Sequence, residues 1–135
     1  MSPKSYRLLI VDDVADNLLI LETYLKNQGY IVDVADSGAL ALQKMQIAAP
    51  DLLLVDVMMP DMDGYELTRR VRRDGQLRSL PIVLVTAYIE ACRVKGIAVG
   101  ATDFVRKPID FEELNDKIQT FLNRTDSRHH PNPPS

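Results

Sequence analysis

The sequence predicts an α/β fold, a doubly wound five-stranded parallel sheet flanked by five helices. Short apolar runs alternate with longer segments whose apolar residues recur at helical spacing, and each pattern occurs five times. Because the apolar runs are almost continuous, they are typical of parallel strands that are buried on both faces. The 135 residues suit one domain. We place it at residues 1–123, followed by a disordered, proline-rich tail at 124–135.

Five apolar runs of strand-like length predict the strands. They lie at residues 7–11, 30–35, 52–55, 81–85 and 103–105. The third run contains no polar residue and leads straight into Asp56, as expected for a strand that is buried on both faces. The second run contains Asp33, which places that strand nearer the edge of the sheet.

Five segments with apolar residues three or four positions apart predict the helices. They lie at about residues 16–28, 37–48, 64–73, 89–99 and 110–122. Gly29 and Pro50 end the first two helices. Asp110 and Glu113 come close to a capping box at the start of the last helix. Gly96 weakens the prediction of the fourth helix, because glycine has a low helix propensity.

Composition and charge exclude several function classes. The net charge of −3 argues against nucleic acid as the main partner. Four arginines of the third helix are interpreted as a solvated face: Arg69, Arg70, Arg72 and Arg73. The single cysteine excludes an internal disulfide and a cysteine-based zinc site. No apolar run approaches the roughly 18 residues of a membrane span, and the N-terminus has no signal-peptide core. We therefore expect a cytoplasmic protein with no direct nucleic-acid or membrane partner.

The chemically useful side chains are concentrated where four of the predicted strands end. Asp12 and Asp13 end the first strand, Asp56 the third, Thr86 the fourth and Lys107 the fifth. In an open doubly wound sheet, ligands bind at the carboxyl ends of the strands, so we expect these side chains to converge. Crowded carboxylates raise one another's pKa unless a cation lies among them. Mg²⁺ suits such a site, because it prefers oxygen ligands and keeps waters that a phosphate oxygen can replace.

A phosphoryl group suits the other side chains of this predicted site. Lys107 offers a point charge for phosphate, and Thr86 offers a hydroxyl that can donate to a phosphate oxygen. A carboxylate such as that of Asp56 can act as a nucleophile, and phosphoryl transfer depends mainly on positioning and charge neutralisation. We therefore expect Asp56 to accept a phosphoryl group, with Mg²⁺ as the cofactor.

Four motifs in register resemble the receiver domain of two-component response regulators, over about residues 6–123. They are Ile10-Val11-Asp12-Asp13, Asp56 with Met59-Pro60-Asp61-Met62-Asp63-Gly64, Val85-Thr86-Ala87, and Lys107-Pro108. The resemblance implies a flavodoxin-like sheet with the strand order 2-1-3-4-5. No output domain follows in the sequence, so we expect either a stand-alone receiver or a fragment of a longer protein.

The resemblance also implies a role for each acidic residue of the site. Asp56 takes a phosphoryl group from a histidine of a sensor kinase or of a histidine phosphotransfer protein. Asp13 and Asp56 bind Mg²⁺ directly, together with the main-chain carbonyl of Met58. Asp12 acts on the metal through water.

The remaining implied roles concern switching. Thr86 and Lys107 hold the phosphoryl oxygens, and the Lys107–Pro108 bond is cis. Phe104 has the position of the aromatic switch, which turns inward as Thr86 moves toward the phosphoryl group. A plain core role for Phe104 stays open. The packing of about residues 89–122 then shifts, and a downstream protein or a second copy of the chain in a homodimer binds that region.

Two other functions stay open at this point. One is an interaction module of the same fold that works without phosphorylation, against which the acidic residues and Lys107 argue. The other is an aspartyl-phosphate phosphatase of the haloacid-dehalogenase type, which has a second aspartate where this chain has Met58. We expect a signalling switch that catalyses only its own phosphoryl transfer and dephosphorylation. Met58 and Tyr88 flank the site, and we expect their bulk to slow the loss of phosphate.

Overall fold

Strands and helices alternate along residues 5–129, the part of the chain that the computed structural model describes. The strands are β1 Arg7–Val11, β2 Ile31–Ala35, β3 Leu52–Asp56, β4 Ile82–Thr86 and β5 Asp103–Arg106. The helices are α1 Ala15–Asn27, α2 Gly38–Ile47, α3 Gly64–Arg73, α4 Ile89–Val99 and α5 Phe111–His129. No described helix combines the length and the apolar character that crossing a membrane requires.

All strand pairs of the sheet are parallel, and the strand order is β2-β1-β3-β4-β5. The predicted order is therefore confirmed, and β2, which contains Asp33, lies at an edge. Strands β3 and β4 are buried at every position. Their side chains alternate between the two faces of the sheet, so both faces need an apolar cover.

Two apolar layers provide that cover. On one face, odd-numbered residues of β1 and β3 pack with α2, α3 and α4. On the other face, even-numbered residues of the same strands pack with α1 and α5. Burying one leucine side chain stabilises a fold by about 1.5–3 kcal/mol. The central strands are therefore held from both sides, which gives the residues at their ends a fixed position.

Helix α5 is longer than the sequence analysis predicts. It continues to His129, so the predicted helix end at about residue 122 is wrong, and residues 124–129, which we assigned to a disordered tail, are helical. The polar composition suggested a tail, but no glycine or proline occurs between Phe111 and His129. A helix that has already formed gains one hydrogen bond per added residue. Residues 130–135 of the predicted tail lie outside the described residues.

Candidate functional site

Three aspartates meet at the carboxyl edge of the sheet. One carboxylate oxygen from each of Asp12, Asp13 and Asp56 lies within 4.8 Å of the others. Strands β1 and β3 are neighbours, so the residues that follow their last paired positions are brought together. Asp12 is 4% exposed and Asp56 is 5% exposed, whereas Asp13 is open to solvent. The predicted convergence of the three carboxylates is therefore present in the fold.

Gly64 allows α3 to begin directly against the end of β3. A Cβ atom on Gly64 would lie 2.9 Å from the carbonyl oxygen of Asp56 and 2.9 Å from Cα of Val57. Both atoms belong to the backbone and cannot rotate away, so only glycine fits. The Gly64 N–H donates to the carbonyl oxygen of Val57 at 3.0 Å. The backbone that carries Asp56 is thus packed against the start of a helix.

Lys107 supplies the positive charge of the site. Its Nζ lies 2.9 Å from Oδ1 of Asp56, and its backbone N–H donates to the carbonyl oxygen of Thr86 at 2.9 Å. The Lys107–Pro108 bond is cis, as the resemblance implies. Although the ammonium is close to Oδ1 of Asp56, no hydrogen bond of good geometry reaches this buried oxygen among the described residues. Oδ1 therefore keeps its capacity to accept a further ligand.

Burial raises the pKa of Asp56 above its ordinary value, and desolvation of the carboxylate is the largest cause. The nearby ammonium of Lys107 opposes this rise, as does the backbone N–H of Met58. The negative charge of Asp12 adds to it. A cation between these carboxylates would favour the ionised form of Asp56.

Asp12 is held in place by two hydrogen bonds. Its Oδ1 accepts from the backbone N–H of Val14 at 3.0 Å, and its Oδ2 accepts from Nδ2 of Asn17 at 3.1 Å. The sequence analysis did not identify Asn17, which orients Asp12. Asn17 lies on α1, whereas the sequence analysis considered only residues at the ends of strands. The available signal was an amide side chain in the first turns of the helix that follows the acidic pair.

These residues fit a magnesium ion. The donor set consists of carboxylate oxygens, the kind of ligand that Mg²⁺ prefers. Oδ1 of Asp56 is buried and lacks a well-aligned hydrogen bond, which leaves one oxygen of the cluster ready for a metal or a phosphoryl group. Asp13 is exposed, so an ion can enter from solvent.

The hydroxyl of Thr86 and the ring of Phe104 have other contacts. Thr86 is buried at the end of β4, and its Oγ1 accepts from the backbone N–H of Tyr88 at 2.9 Å. Phe104 is half-buried and packs against the apolar layer beneath α4. The structure therefore places Thr86 next to the site with its hydroxyl turned to backbone, and Phe104 in the core layer behind it.

Two large side chains border the site on the solvent side. Met58 follows β3 and is 65% exposed, and Tyr88 follows β4 and is 69% exposed. The backbone N–H of Met58 is close enough to lower the pKa of Asp56, but the Met58 side chain lies largely in solvent. Both side chains therefore lie mostly in solvent at the edge of the site.

A groove of about 320 Å³ opens beside the carboxylates of Asp12 and Asp56. It runs between α1 and the segment that joins β5 to α5, and mostly apolar surface lines it. The lining includes Asp56 and Lys107 at one end and the exposed side chain of Ile20 on α1. A partner that enters this groove would reach the carboxylate of Asp56.

Comparison with known proteins identifies relatives of this chain. A family model described as the response regulator receiver domain matches residues 8–119. Response regulator PleD of Caulobacter vibrioides is 42% identical over 107 residues, which are 78% of this chain and 24% of that protein. The chain thus spans about a quarter of the length of PleD.

Two solved structures have the same fold. The Vibrio cholerae chemotaxis protein CheY4 superposes with a TM-score of 0.84 at 34% identity, covering 87% of this chain and 99% of that one. The receiver domain of the sensor histidine kinase PA1611 from Pseudomonas aeruginosa PAO1 superposes with a TM-score of 0.82 at 28% identity, covering 89% and 99%. That domain has a magnesium ion coordinated in its active-site cleft.

Proposed function

The chain belongs to the family of response regulator receiver domains, and on that premise we propose that it accepts a phosphoryl group on Asp56 and thereby switches partner binding. The donor is a histidine of a sensor kinase or of a histidine phosphotransfer protein, and the reaction takes place in the cytoplasm. One observation carries the proposal: Oδ1 of Asp56 is buried, faces the ammonium of Lys107 and lacks a well-aligned hydrogen bond.

The proposed reaction transfers the phosphoryl group between two side chains. An oxygen of Asp56 forms a bond to phosphorus while the bond between phosphorus and the donor imidazole nitrogen breaks. The electron pair of that bond stays on the nitrogen, which takes up a proton. Carboxylates act as nucleophiles of this kind, and most of the barrier is lowered by positioning and by neutralising charge.

We assign the metal ligands as the resemblance implies. Asp13, Asp56 and the carbonyl oxygen of Met58 would hold Mg²⁺, which neutralises negative charge on the phosphoryl oxygens when bound. Asp12 acts through water, in keeping with the hydrogen bonds that both of its oxygens already accept. Lys107 and the hydroxyl of Thr86 hold the other phosphoryl oxygens. For Thr86 this requires its Oγ1 to turn away from the N–H of Tyr88.

The groove beside the site is the proposed contact for the phosphoryl donor. It joins the carboxylate of Asp56 to the exposed side chain of Ile20 on α1. A donor helix that covers Ile20 would exclude water from the groove and place its histidine near Asp56. Burial of apolar surface stabilises such a complex. At the polar end of the groove, Asp56 would accept the phosphoryl group beside Lys107.

The output is proposed to leave through α4, β5 and α5. Helix α4 has two large apolar side chains that are exposed, Val94 and Ile97, which offer a contact for a downstream protein or for a second copy of the chain. Phosphorylation adds about −1.5 to −2 charges at neutral pH. A shift in the packing of Thr86 and Phe104 would carry that local change to α4.

The proposal is tested by phosphorylation in vitro. Wild type, Asp56→Asn and Asp61→Asn are incubated with Mg²⁺ and acetyl phosphate, and intact mass is measured. Asp61 is an exposed acid of the same loop, so its variant controls for a nearby charge change. We expect one added phosphoryl group on wild type and Asp61→Asn and none on Asp56→Asn. An unlabelled wild type would instead favour the interaction module that works without phosphorylation.

The lifetime of the acyl phosphate tests the side chains that border the site. Hydrolysis needs a water molecule near phosphorus, and Met58 and Tyr88 are large and free to cover it. We expect the double variant Met58→Asn, Tyr88→Glu to lose phosphate several times faster than wild type after acetyl phosphate is removed. Equal rates of loss would show that these side chains do not shield the product.

A further inference from the structure

The loop between β3 and α3, residues 57–63, is fixed at both ends. The Gly64 N–H donates to the carbonyl oxygen of Val57 at 3.0 Å, and the Asp63 side chain caps α3 by accepting from the N–H of Glu66 at 2.8 Å. Between them, Asp61 has a φ of 66°, which costs a residue other than glycine about 1–2 kcal/mol. The middle of the loop makes a local hydrogen bond, from the N–H of Met62 to the carbonyl oxygen of Pro60, and one tertiary contact.

That contact joins Met62 to Gly38, the first residue of α2. A Cβ atom on Gly38 would lie 2.6 Å from Sδ, 3.1 Å from Cγ and 3.2 Å from Cβ of Met62. All three distances are shorter than an ordinary van der Waals contact, so a side chain at position 38 would have to displace Met62 from the space that it fills. Gly38 thus forms a notch on α2 that receives the loop.

The helix that carries the notch is capped and packed against the sheet. The Ser37 hydroxyl oxygen accepts from the N–H of Leu40 at 3.1 Å and caps α2. Further along the helix, Ala41 and Met45 are buried in the apolar layer against the sheet. Because α2 is anchored to the sheet in this way, a side chain that packs on Gly38 is held in a defined position relative to the sheet that carries Asp56.

We propose that Gly38 is a positioning residue for the metal site. By holding Met62, it fixes the loop so that the carbonyl oxygen of Met58 is in place before Mg²⁺ binds. This inference rests on the proposed function, since that function makes Met58 a metal ligand. A metal binds with less loss of free energy when its ligands are already held in place. In other proteins, removing a group that orients a ligand weakens metal binding by roughly 10- to 100-fold.

The first test is Gly38→Ala. We expect the dissociation constant for Mg²⁺, measured by calorimetry, to rise roughly tenfold. In the metal-free variant, we expect faster hydrogen exchange at the N–H groups of Met62 and Gly64. In wild type these groups donate hydrogen bonds within the loop. The control is Gly75→Ala, because a Cβ there meets nothing within 4 Å. Neither quantity should change in the control.

A double-variant cycle separates positioning from helix stability. Met62→Ala removes Sδ and Cγ, so it empties the notch and should itself weaken Mg²⁺ binding severalfold. In that background, Gly38→Ala should change the Mg²⁺ dissociation constant by less than about twofold, because the two variants break the same contact. An effect of alanine on the stability of α2 alone would be the same in both backgrounds. The Met62→Ala variant also tests the contact if Gly38→Ala does not fold.

The outcomes distinguish this inference from the function on which it rests. If wild type binds no Mg²⁺, the proposed function fails and this inference fails with it. If wild type binds Mg²⁺ but Gly38→Ala binds it equally well and exchanges its loop amides at the wild-type rate, the inference alone is overturned. Equal weakening by Gly38→Ala in both Met62 backgrounds also overturns it.

Discussion

The ring of Phe104 lies against the backbone of Gly96 in the middle of α4. A Cβ atom on that glycine would be 3.0 Å from Cζ of the ring and would overlap Cε1, with Cδ1 of Leu84 also only 3.2 Å away. Glycine inside a helix costs about 1 kcal/mol relative to alanine. The packing of β5 under α4 explains why the chain keeps it: the aromatic ring occupies the place of the missing side chain.

Gly96→Ala is therefore expected to destabilise the protein although alanine favours helices. Overpacking costs about 1–3 kcal/mol, which outweighs the gain in helix propensity. The free energy of unfolding is measured in urea. Ala98→Gly at an exposed position of the same helix calibrates the propensity term, and Phe104→Leu should reduce the cost of Gly96→Ala. If Gly96→Ala were more stable than wild type, a Cβ at position 96 would not overlap the ring of Phe104.

Arg72 connects three backbone positions through hydrogen bonds from its side chain. Its guanidinium donates to the carbonyl oxygens of Gly100 at 2.8 Å, Leu80 at 2.7 Å and Leu77 at 3.3 Å. Burial lowers the pKa of Arg72. Hydrogen bonds from charged groups stabilise by about 1.5–3 kcal/mol each. Because the 3.3 Å bond is weak and desolvation of the guanidinium offsets part of the gain, we expect Arg72→Ala to lower the free energy of unfolding by about 2–4 kcal/mol.

Two variants sharpen the experiment on Arg72. Arg73→Ala, an exposed neighbour, removes the same charge and should leave stability within about 0.5 kcal/mol of wild type. Arg72→Lys should recover little stability, because an ammonium lacks the fork of donors that reaches several carbonyls. Recovery of most of the stability by lysine would mean that charge, not the hydrogen-bond geometry, matters.

The raised pKa of Asp56 predicts how stability depends on pH. Because burial raises the folded-state pKa above the unfolded value, ionising Asp56 favours unfolding, so stability falls as pH rises through the folded pKa. Metal-free Asp56→Asn should therefore be more stable than wild type at neutral pH. The difference should disappear below the unfolded-state pKa, about 3.9. Unfolding in EDTA as a function of pH measures it, and a difference that is independent of pH would contradict the assignment.

Magnesium should reverse that order. A ligand that binds only the folded state at 100 times its dissociation constant stabilises it by about 2.7 kcal/mol. We expect thermal melting of wild type and Asp61→Asn to shift upward with Mg²⁺, and that of Asp13→Asn and Asp56→Asn to shift little. Equal shifts in all four proteins would place the ion elsewhere.

The sequence was sufficient to predict the fold and the acidic edge because both follow from local patterns. Parallel strands bring the residues at their carboxyl ends together, so Asp12, Asp56 and Lys107 could be grouped without coordinates. The contact between Gly38 and Met62 could not be foreseen, since it depends on how a loop settles on a distant helix. The end of α5 was missed because a polar composition does not reveal whether a helix stops.

Cys92 is a built-in chemical probe of how often α4 separates from the sheet. It is the single cysteine and lies fully buried on the inner side of α4. Burial raises the pKa of the thiol, so alkylation of the native protein should be slow. Each separation of α4 from the sheet would expose the sulfur, and the alkylation rate would report how often it occurs without any introduced label.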